Sequence, residues 1–304
     1  MRAAAAIALI ILVFLASFFL KETLKPEVSV TPEAGGAVAC SRLVSLSPGI
    51  TETLFALDLG GQVVGVTRYC TYPPEARQLP QVGGFLDPNY ELLLALRPDL
   101  ILLTPFHRDL WPELERLGMR YEVVGQDTVA DIRDSILKLG ALCGRQEQAG
   151  ALAAEMDRRL ADAAARAATQ PRMRVLMATG REMEAQQLNE IYAISSGSFL
   201  SDLLGIVGGE NCVTGKIAEY PALSAEGILQ LNPDVIIEFG ETASEEASAL
   251  ALVSWQSLPG LEAVRRGRVH YLGGPQYTIP GPRILETLAA LEQCLVTGGE
   301  GSSS

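Results

Sequence analysis

The residues best suited to metal or nucleophilic chemistry are two histidines and five cysteines, and their spacing forms no recognisable catalytic motif. With His107 and His270 as the only histidines, a multi-histidine zinc site cannot be built, and the chain contains no Cys-x-x-Cys pair. A Gly-x-Ser-x-Gly elbow and a His-Glu-x-x-His helix are also absent from the sequence. Gly209–Lys216 resembles a phosphate loop, but five residues separate its glycines instead of four, and Ile217 stands at the magnesium-binding position. We therefore predict a protein that is not an enzyme and holds no permanent cofactor.

Aromatic side chains, in contrast, concentrate in the loops beside the predicted strands. In open α/β sheets, ligands bind beyond the carboxyl ends of the strands. The side chains placed at or near that rim are Tyr69, Tyr72, Phe85, Phe106, His107, Tyr192, Tyr220 and Tyr277. An aromatic-lined cleft suits a bulky, flat and partly apolar ligand.

Alternating strands and helices position these loops. In residues 41–144, short apolar strands alternate with helices, which predicts a parallel sheet with right-handed crossovers. Residues 145–169 form an alanine-rich run of good helix formers. Residues 170–297 return to the strand–helix pattern, with a polar loop predicted over Gly180–Ser198. The pattern predicts lobe one at 41–144, a bridging helix at 145–169 and lobe two at 170–297, with the cleft between the lobes.

A repeated stretch supports two lobes built on a common plan. Glu91–Leu102 reads ELLLALRPDLIL, and Glu226–Ile237 reads EGILQLNPDVII. The two copies share a glutamate, two leucines and a Pro-Asp pair in register, in the order helix, turn and strand. The residue before each proline is expected to be extended.

The net charge of −12 gives no basic face for nucleic acid. Residues 1–25 contain an uncharged apolar run, Ala3–Leu20, which predicts an uncleaved membrane anchor, with a cleaved signal as the alternative. Residues 26–40 are expected to be a flexible stalk, and residues 298–304 a disordered tail. The Ala37–Ala39 triplet followed by Cys40 faintly resembles a lipidation site.

The cysteine count is odd, so at least one thiol is unpaired within the chain. Cys40 and Cys70 are expected at opposite ends of the first sheet, beyond disulfide reach. Cys212 and Cys294 both belong to lobe two and are the predicted disulfide pair.

Several motifs occur in register with one protein family. They are Arg42–Pro48 with Thr51 and Glu52, Val64–Pro74, the repeat, Tyr220–Ser224 and Pro280–Arg283. Together they resemble the solute-binding proteins of ABC importers for cobalamin and iron chelates. The resemblance implies an α/β protein of two Rossmann-like lobes with central parallel sheets, joined by one long rigid helix, with a metal chelate bound in the cleft between the lobes. It also implies an extracytoplasmic protein, tethered by its N-terminal helix, that delivers the chelate to a permease dimer with its ATPase subunits.

The resemblance assigns roles to individual residues. It implies that Glu91 and Glu226, the matched acids of the repeat, dock onto arginines of the permease. The candidate ligand contacts are Ser47, Pro48, Tyr69, Cys70, Tyr72, Phe85, Phe106, His107, Tyr192, Tyr220 and Tyr277. Tyr69 is the foremost of these, and His107 is a candidate axial ligand of a bound metal centre.

The resemblance places cobalamin or a related corrinoid first as the ligand, and a ferric siderophore or haem second. Where cobalamin binders place tryptophans in the cleft, this chain has Phe85, Thr104 and Tyr220. Arg68, Arg108 and Arg181 are the cations available to an anionic siderophore. Two alternatives to an importer component use the same fold: a membrane-tethered chelate sensor, and a metallocluster or chelatase-type enzyme.

Overall fold

The computed structural model describes residues 40–184, 187–215 and 220–296. The predicted anchor at 1–25, all of the predicted stalk except Cys40, and the predicted tail at 298–304 lie outside these residues. Within the described ranges, no helix is long and apolar enough to cross a membrane.

Lobe one is built on a four-stranded, fully parallel sheet with the strand order β2-β1-β3-β4. Its strands are β1 (Leu43–Ser45), β2 (Val63–Val66), β3 (Leu100–Leu103) and β4 (Tyr121–Val123). Its helices are α1 (Pro48–Ala56), α2 (Tyr90–Leu96), α3 (Trp111–Arg116) and α4 (Val129–Leu142). Every residue of β1 and β3 is buried, as expected for central strands covered on both faces.

A single long helix, α5 (Gln146–Ala167), follows lobe one. Its 22 residues span about 33 Å at 1.5 Å per residue. Ala149, Ala153, Met156 and Ala163 lie on its buried face. Three of these four, all except Ala153, belong to one hydrophobic cluster that contains residues of both lobes. The helix is therefore packed along its length and holds a fixed position between the sheets.

Lobe two has a mixed sheet with the strand order β10-β9-β5-β6-β8, and β7 pairs with β5. Its strands are β5 (Met173–Glu184), β6 (Gln187–Ala193), β7 (Gly209–Asn211), β8 (Ala222–Ser224), β9 (Val235–Gly240) and β10 (Val269–Gly273). Its helices are α6 (Phe199–Ile206), α7 (Ala225–Leu231), α8 (Glu245–Trp255), α9 (Glu262–Arg265) and α10 (Ile284–Val296). Short 3-10 helices occupy Gly60–Gln62, Pro74–Gln78, Pro105–Leu110 and Pro275–Tyr277.

The predicted loop Gly180–Ser198 was wrong in its first part, because β5 continues to Glu184 and the chain returns as the antiparallel strand β6. β6 in turn pairs with β8 in antiparallel fashion. An antiparallel strand needs only one buried face, so it carries more polar residues than a central parallel strand. Ile191 and Ala193 are buried on either side of the exposed Tyr192. That short alternation was the sequence signal for β6.

The repeat predicted from sequence has the same atomic structure in both lobes. The Asp99 carboxylate accepts the backbone N–H of Arg42 at 3.0 Å, and the Asp234 carboxylate accepts that of Arg174 at 2.9 Å. The N–H of each aspartate donates to the carbonyl of the same arginine, at 3.0 and 2.8 Å. Each Pro-Asp turn thus holds the first strand of its lobe beside the strand that follows the turn.

The extended conformation expected before each proline was wrong. Arg97 has φ 47° and Asn232 has φ 40°, both in the left-handed region. Each residue caps the carboxyl end of its helix, and its N–H donates to the carbonyl of Leu94 or Ile228. Helix termination therefore decides the backbone conformation at these positions.

The predicted Cys212–Cys294 disulfide was wrong. The structure joins Cys40 to Cys143, with their Cα atoms 5.4 Å apart, and leaves Cys212 and Cys294 as free thiols. Cys143 caps the carboxyl end of α4, which packs back against the start of lobe one. Cys294 faces the buried side of α10 instead. A lipid thioether would need the Cys40 sulfur, which this disulfide occupies.

Candidate functional site

A cavity of about 430 Å³ lies between the two lobes. Lobe one supplies loops that follow each of its four strands, as expected for the carboxyl edge of a parallel sheet. The lining residues of lobe one are Ser47, Pro48, Tyr69, Phe85, Thr104, Phe106, Gln126 and Asp127. Those of lobe two are Ile194, Ser198, Phe199, Leu200, Tyr220, Thr278, Ile279 and Pro280.

Six of the eleven candidate ligand contacts line this cavity: Ser47, Pro48, Tyr69, Phe85, Phe106 and Tyr220. Three of their aromatic side chains are about half exposed, with 53% for Tyr69, 51% for Phe106 and 49% for Tyr220. Exposed aromatic groups in a concave site are the ones available to stack on a flat ligand. Four aromatic residues that the sequence analysis placed at the rim of the sheets, Tyr69, Phe85, Phe106 and Tyr220, thus line the cavity.

Cys70 and His107 are buried behind the cavity wall and do not line it. The Cys70 sulfur lies 3.2 Å from the hydroxyls of Thr51 and Thr67, and burial raises the pKa of the thiol. A neutral thiol in this setting is a poor nucleophile and a poor metal ligand.

The His107 ring packs against Phe85, with ring centroids 4.4 Å apart. Its Nδ1 accepts the backbone N–H of Thr104 at 3.0 Å, which places the ring proton on Nε2. Burial lowers the pKa of this imidazole, despite the opposing effect of nearby backbone groups. Axial ligation by His107 would require Phe85 to move away from the ring.

The three remaining candidates lie elsewhere. Tyr72 stacks over Arg283, with the guanidinium carbon 3.9 Å from the ring centroid. Tyr192 is exposed on β6, and Tyr277 packs against the hydrophobic cluster that contains residues of both lobes. Tyr72 and Tyr277 lie in the connections after β2 and β10, as predicted, whereas Tyr192 lies on a strand.

Sequence reasoning missed the loop after β4. Gln126 and Asp127 line the cavity there, and their position at the carboxyl end of a strand was the signal that would have found them. Ser198, whose hydroxyl caps α6, contributes at the equivalent edge of lobe two.

The described part of the cavity wall contains hydroxyl and amide groups, one acid and no cation. The acid is Asp127, whose pKa is raised by burial and by the neighbouring Asp131. Arg68 pairs with Asp87 at 2.9 Å, and Arg181 pairs with the buried Glu238. These two cations, proposed for an anionic ligand, are thus held by carboxylates outside the cavity wall.

Within residues 40–184, 187–215 and 220–296, no three His, Cys, Asp or Glu side chains group closely enough to hold a metal ion. The described part of the cavity wall therefore contains no cluster of protein ligands for a bare metal ion.

Glu91 and Glu226 occupy equivalent positions in the two lobes. Each is the second residue of a seven-residue helix, α2 or α7, and each is exposed. The side chains of Asn89 and Ser224 already cap these helices, accepting the N–H groups of Leu92 and Gly227. Since capping is supplied by other residues, both carboxylates are available to a partner.

The chain was compared with known families and structures. The family described as periplasmic binding protein matches residues 43–275. The vitamin B12-binding protein of Vibrio cholerae serotype O1 is 31% identical over 259 residues, covering 83% of this chain and 87% of that protein. The uncharacterised ABC transporter substrate-binding lipoprotein YvrC of Bacillus subtilis is 26% identical over 263 residues, covering 84% of this chain and 79% of that protein.

Among solved structures, the periplasmic vitamin B12 binding protein BtuF of Vibrio cholerae superimposes with a TM-score of 0.73 and 27% sequence identity. The match covers 86% of this chain and 98% of that protein. The two-lobe architecture predicted from sequence is confirmed by this similarity.

Proposed function

Because the chain belongs to the periplasmic binding protein family, we propose that it is the extracytoplasmic substrate-binding component of an ABC importer. It captures a bulky metal chelate in the cavity between its lobes and delivers it to a permease dimer with its ATPase subunits. The observation that carries this proposal is the aromatic cavity formed jointly by the two lobes. The similarity to an ABC transporter substrate-binding lipoprotein supports the assignment to an importer.

The proposed ligand is cobalamin or a related corrinoid. A corrinoid is flat and carries a rim of uncharged amides, which pair with hydroxyl and amide side chains. Ser47, Thr104, Gln126 and Thr278 place such groups at the cavity wall. Their polar groups already bond within the protein, and the hydroxyls of Ser47 and Thr278, which donate there, keep lone pairs that can accept from a ligand amide. Haem carries two propionate carboxylates and ferric catecholate siderophores carry a net negative charge, and the described wall has an acid and no cation for them. The 31% identity to a vitamin B12-binding protein supports the same ranking.

The proposed location is the outer side of the cytoplasmic membrane, to which the chain is tethered. The Cys40–Cys143 disulfide supports an extracytoplasmic location, because disulfides persist in oxidising compartments. The proposed tether is the N-terminal apolar segment, since the sulfur of Cys40 is already bonded.

A binding screen tests the ligand. The full chain in detergent is dialysed against cyanocobalamin, dicyanocobinamide, haemin and a ferric catecholate siderophore, and bound ligand is measured by absorbance. The full chain is needed because a fragment starting at Ser41 would lack half of the disulfide. We expect the two corrinoids to bind at least about tenfold more tightly than the charged chelates, a difference of about 1.4 kcal/mol. Tighter binding of haemin would overturn the corrinoid assignment, and binding of none of the four would overturn the chelate-carrier function.

A further inference from the structure

Three residues of the family motifs, Glu52, Tyr72 and Arg283, do not line the cavity and meet at one place between the lobes. Glu52 lies on α1 of lobe one, and Arg283 immediately precedes α10 of lobe two, 231 residues later. The Arg283 guanidinium donates to both carboxylate oxygens of Glu52, with Nε 3.0 Å from Oε2. The Tyr72 ring covers the guanidinium at 3.9 Å.

This ion pair is largely buried, at the base of a second surface pocket of about 590 Å³ that Glu52 and Arg283 also line. The side chain of Glu52 is 2% exposed and that of Arg283 is 17% exposed. A bidentate arginine–carboxylate pair has a narrow range of acceptable geometry. When such a pair is buried, separating its members leaves each charge without water or a partner. The contact therefore resists any relative movement of the two elements that carry it.

The pair lies directly behind the cavity. The first residues of α1 and the segment ending at Pro280 form part of the cavity wall, whereas Glu52, Tyr72 and Arg283 do not line it. At this wall the two backbones touch, since a Cβ atom on Gly49 would lie only 2.1 Å from the Pro280 carbonyl oxygen. The Gln126 amide also donates to that oxygen at 2.7 Å.

We propose that Glu52, Arg283 and Tyr72 form an inter-lobe clamp that fixes the separation of the lobes and keeps the cavity in one preformed shape. They are positioning residues. We call the close backbone contact between Gly49 and Pro280 the seam, and the three residues affect ligand retention by holding this seam closed. The clamp controls how long a ligand stays bound, although none of its side chains lines the cavity.

Hydrogen exchange of the ligand-free full chain tests the clamp without reference to any ligand. In Arg283→Met, we expect the amides of residues 49–52 and of positions 281, 283 and 284 to exchange about tenfold faster or more, because a buried charge pair has been truncated. Amides of the central strands β3 and β9 should keep their wild-type rates. Arg166→Met is the matched control, since it removes another bidentate pair, with Glu292 at 2.9 Å, on the exposed face of α5.

A second variant keeps the test decisive if Arg283→Met does not fold. Tyr72→Ala removes the ring from a partly exposed position and leaves the ion pair in place. It should accelerate exchange at the same seam, and Tyr72→Phe should restore the wild-type rate because stacking is retained. The clamp would be overturned if the seam amides exchanged at the wild-type rate in Tyr72→Ala and in Arg283→Met, provided that the latter folds. It would also be overturned if Arg166→Met accelerated exchange of the seam amides as much as Arg283→Met does.

Ligand release gives the functional readout. With cyanocobalamin as the probe, we expect its dissociation rate to rise about tenfold in Arg283→Met, with a smaller change in the association rate. A variant with faster seam exchange and unchanged dissociation would overturn the link to ligand retention. If cyanocobalamin does not bind the wild type, the ligand assignment fails, and the exchange experiment still decides the clamp.

Discussion

Tyr69 is the side chain on which the proposed binding site depends most. It is half exposed at the cavity wall, and the guanidinium of Arg68 lies 5.5 Å from its ring centroid. Arg68 also pairs with the exposed Asp87 at 2.9 Å, so one guanidinium contacts both groups at the edge of the cavity. A positioned aromatic face contributes to binding through stacking and apolar burial.

We predict that Tyr69→Ala raises the Kd for cyanocobalamin by about tenfold, which corresponds to about 1.4 kcal/mol of lost stacking and burial. Tyr192→Ala is the matched control, because Tyr192 is an exposed tyrosine that does not line the cavity. Equilibrium dialysis of both variants measures the effect. Equal losses in the two variants would show that the cavity wall has been misassigned.

The two histidines should govern stability near neutral pH. Burial lowers the pKa of both His107 and His270 below the usual 6.5. The unfolded chain therefore takes up protons at a higher pH than the folded chain does. The stabilisation from the neutral rings is complete above pH 6.5 and is lost as the pH falls towards the lowered folded-state values.

We predict that the free energy of unfolding falls on acidification from about pH 6.5, by at most about 1.4 kcal/mol per pH unit for each imidazole. Urea unfolding at pH 7.5, 6.5 and 5.5 measures this slope. His270→Gln and His107→Gln should each make the slope shallower. A double variant with the wild-type slope would contradict the assignment to these rings.

At the scale of elements, the repeated helix–turn–strand unit sets the surface that we propose faces a permease. The unit places Glu91 and Glu226 at the same position of α2 and α7. The amino ends of these helices are capped by Asn89 and Ser224. Acids that are not needed for helix capping can face a basic partner, where charge complementarity sets orientation and encounter rate.

We predict that Glu91→Lys together with Glu226→Lys abolishes uptake of the chelate while leaving its Kd unchanged. Uptake by cells that carry the cognate permease, together with dialysis of the purified variant, separates the two effects. Glu245→Lys with Glu246→Lys is the control, since both acids lie in the first turn of an exposed helix end, on α8. Wild-type uptake by the Glu91/Glu226 variant would remove the docking hypothesis.

At the scale of the whole molecule, one disulfide and one buried ion pair each connect segments that are far apart in the chain. The disulfide joins residues 103 positions apart and fixes the start of β1 to the end of α4. The Glu52–Arg283 pair closes a loop more than twice as long. Of the two, only the disulfide persists in the unfolded chain and restricts its conformations, whereas the ion pair exists in the folded chain alone.

We predict that Cys40→Ser with Cys143→Ser lowers the free energy of unfolding by about 2–5 kcal/mol. Cys212→Ser is the control, because that thiol is free and partly exposed. Urea unfolding in the presence and absence of a reductant measures the difference. If the reductant left the free energy of unfolding of the wild-type chain unchanged, the Cys40–Cys143 disulfide would be contradicted.

Local patterns determined much of this protein from the sequence alone. The Pro-Asp repeat predicted twin lobes, and alternating strands and helices predicted the parallel sheet of lobe one. The carboxyl-end rule placed Tyr69, Phe106 and their neighbours near the cavity. These features depend on residues within one helix, turn or strand, where hydrophobic periodicity and turn chemistry act over a few positions.

Only the tertiary structure decided which residues pair across long distances. In the structure, Cys40 is bonded to Cys143, the Tyr72 ring stacks over Arg283, and His107 is buried against Phe85. Each outcome depends on the packing of segments far apart in the chain, and a single sequence carries no local signal for such contacts. The composition of a loop fixes which side chains are available, whereas close packing of the neighbouring elements decides where each one points.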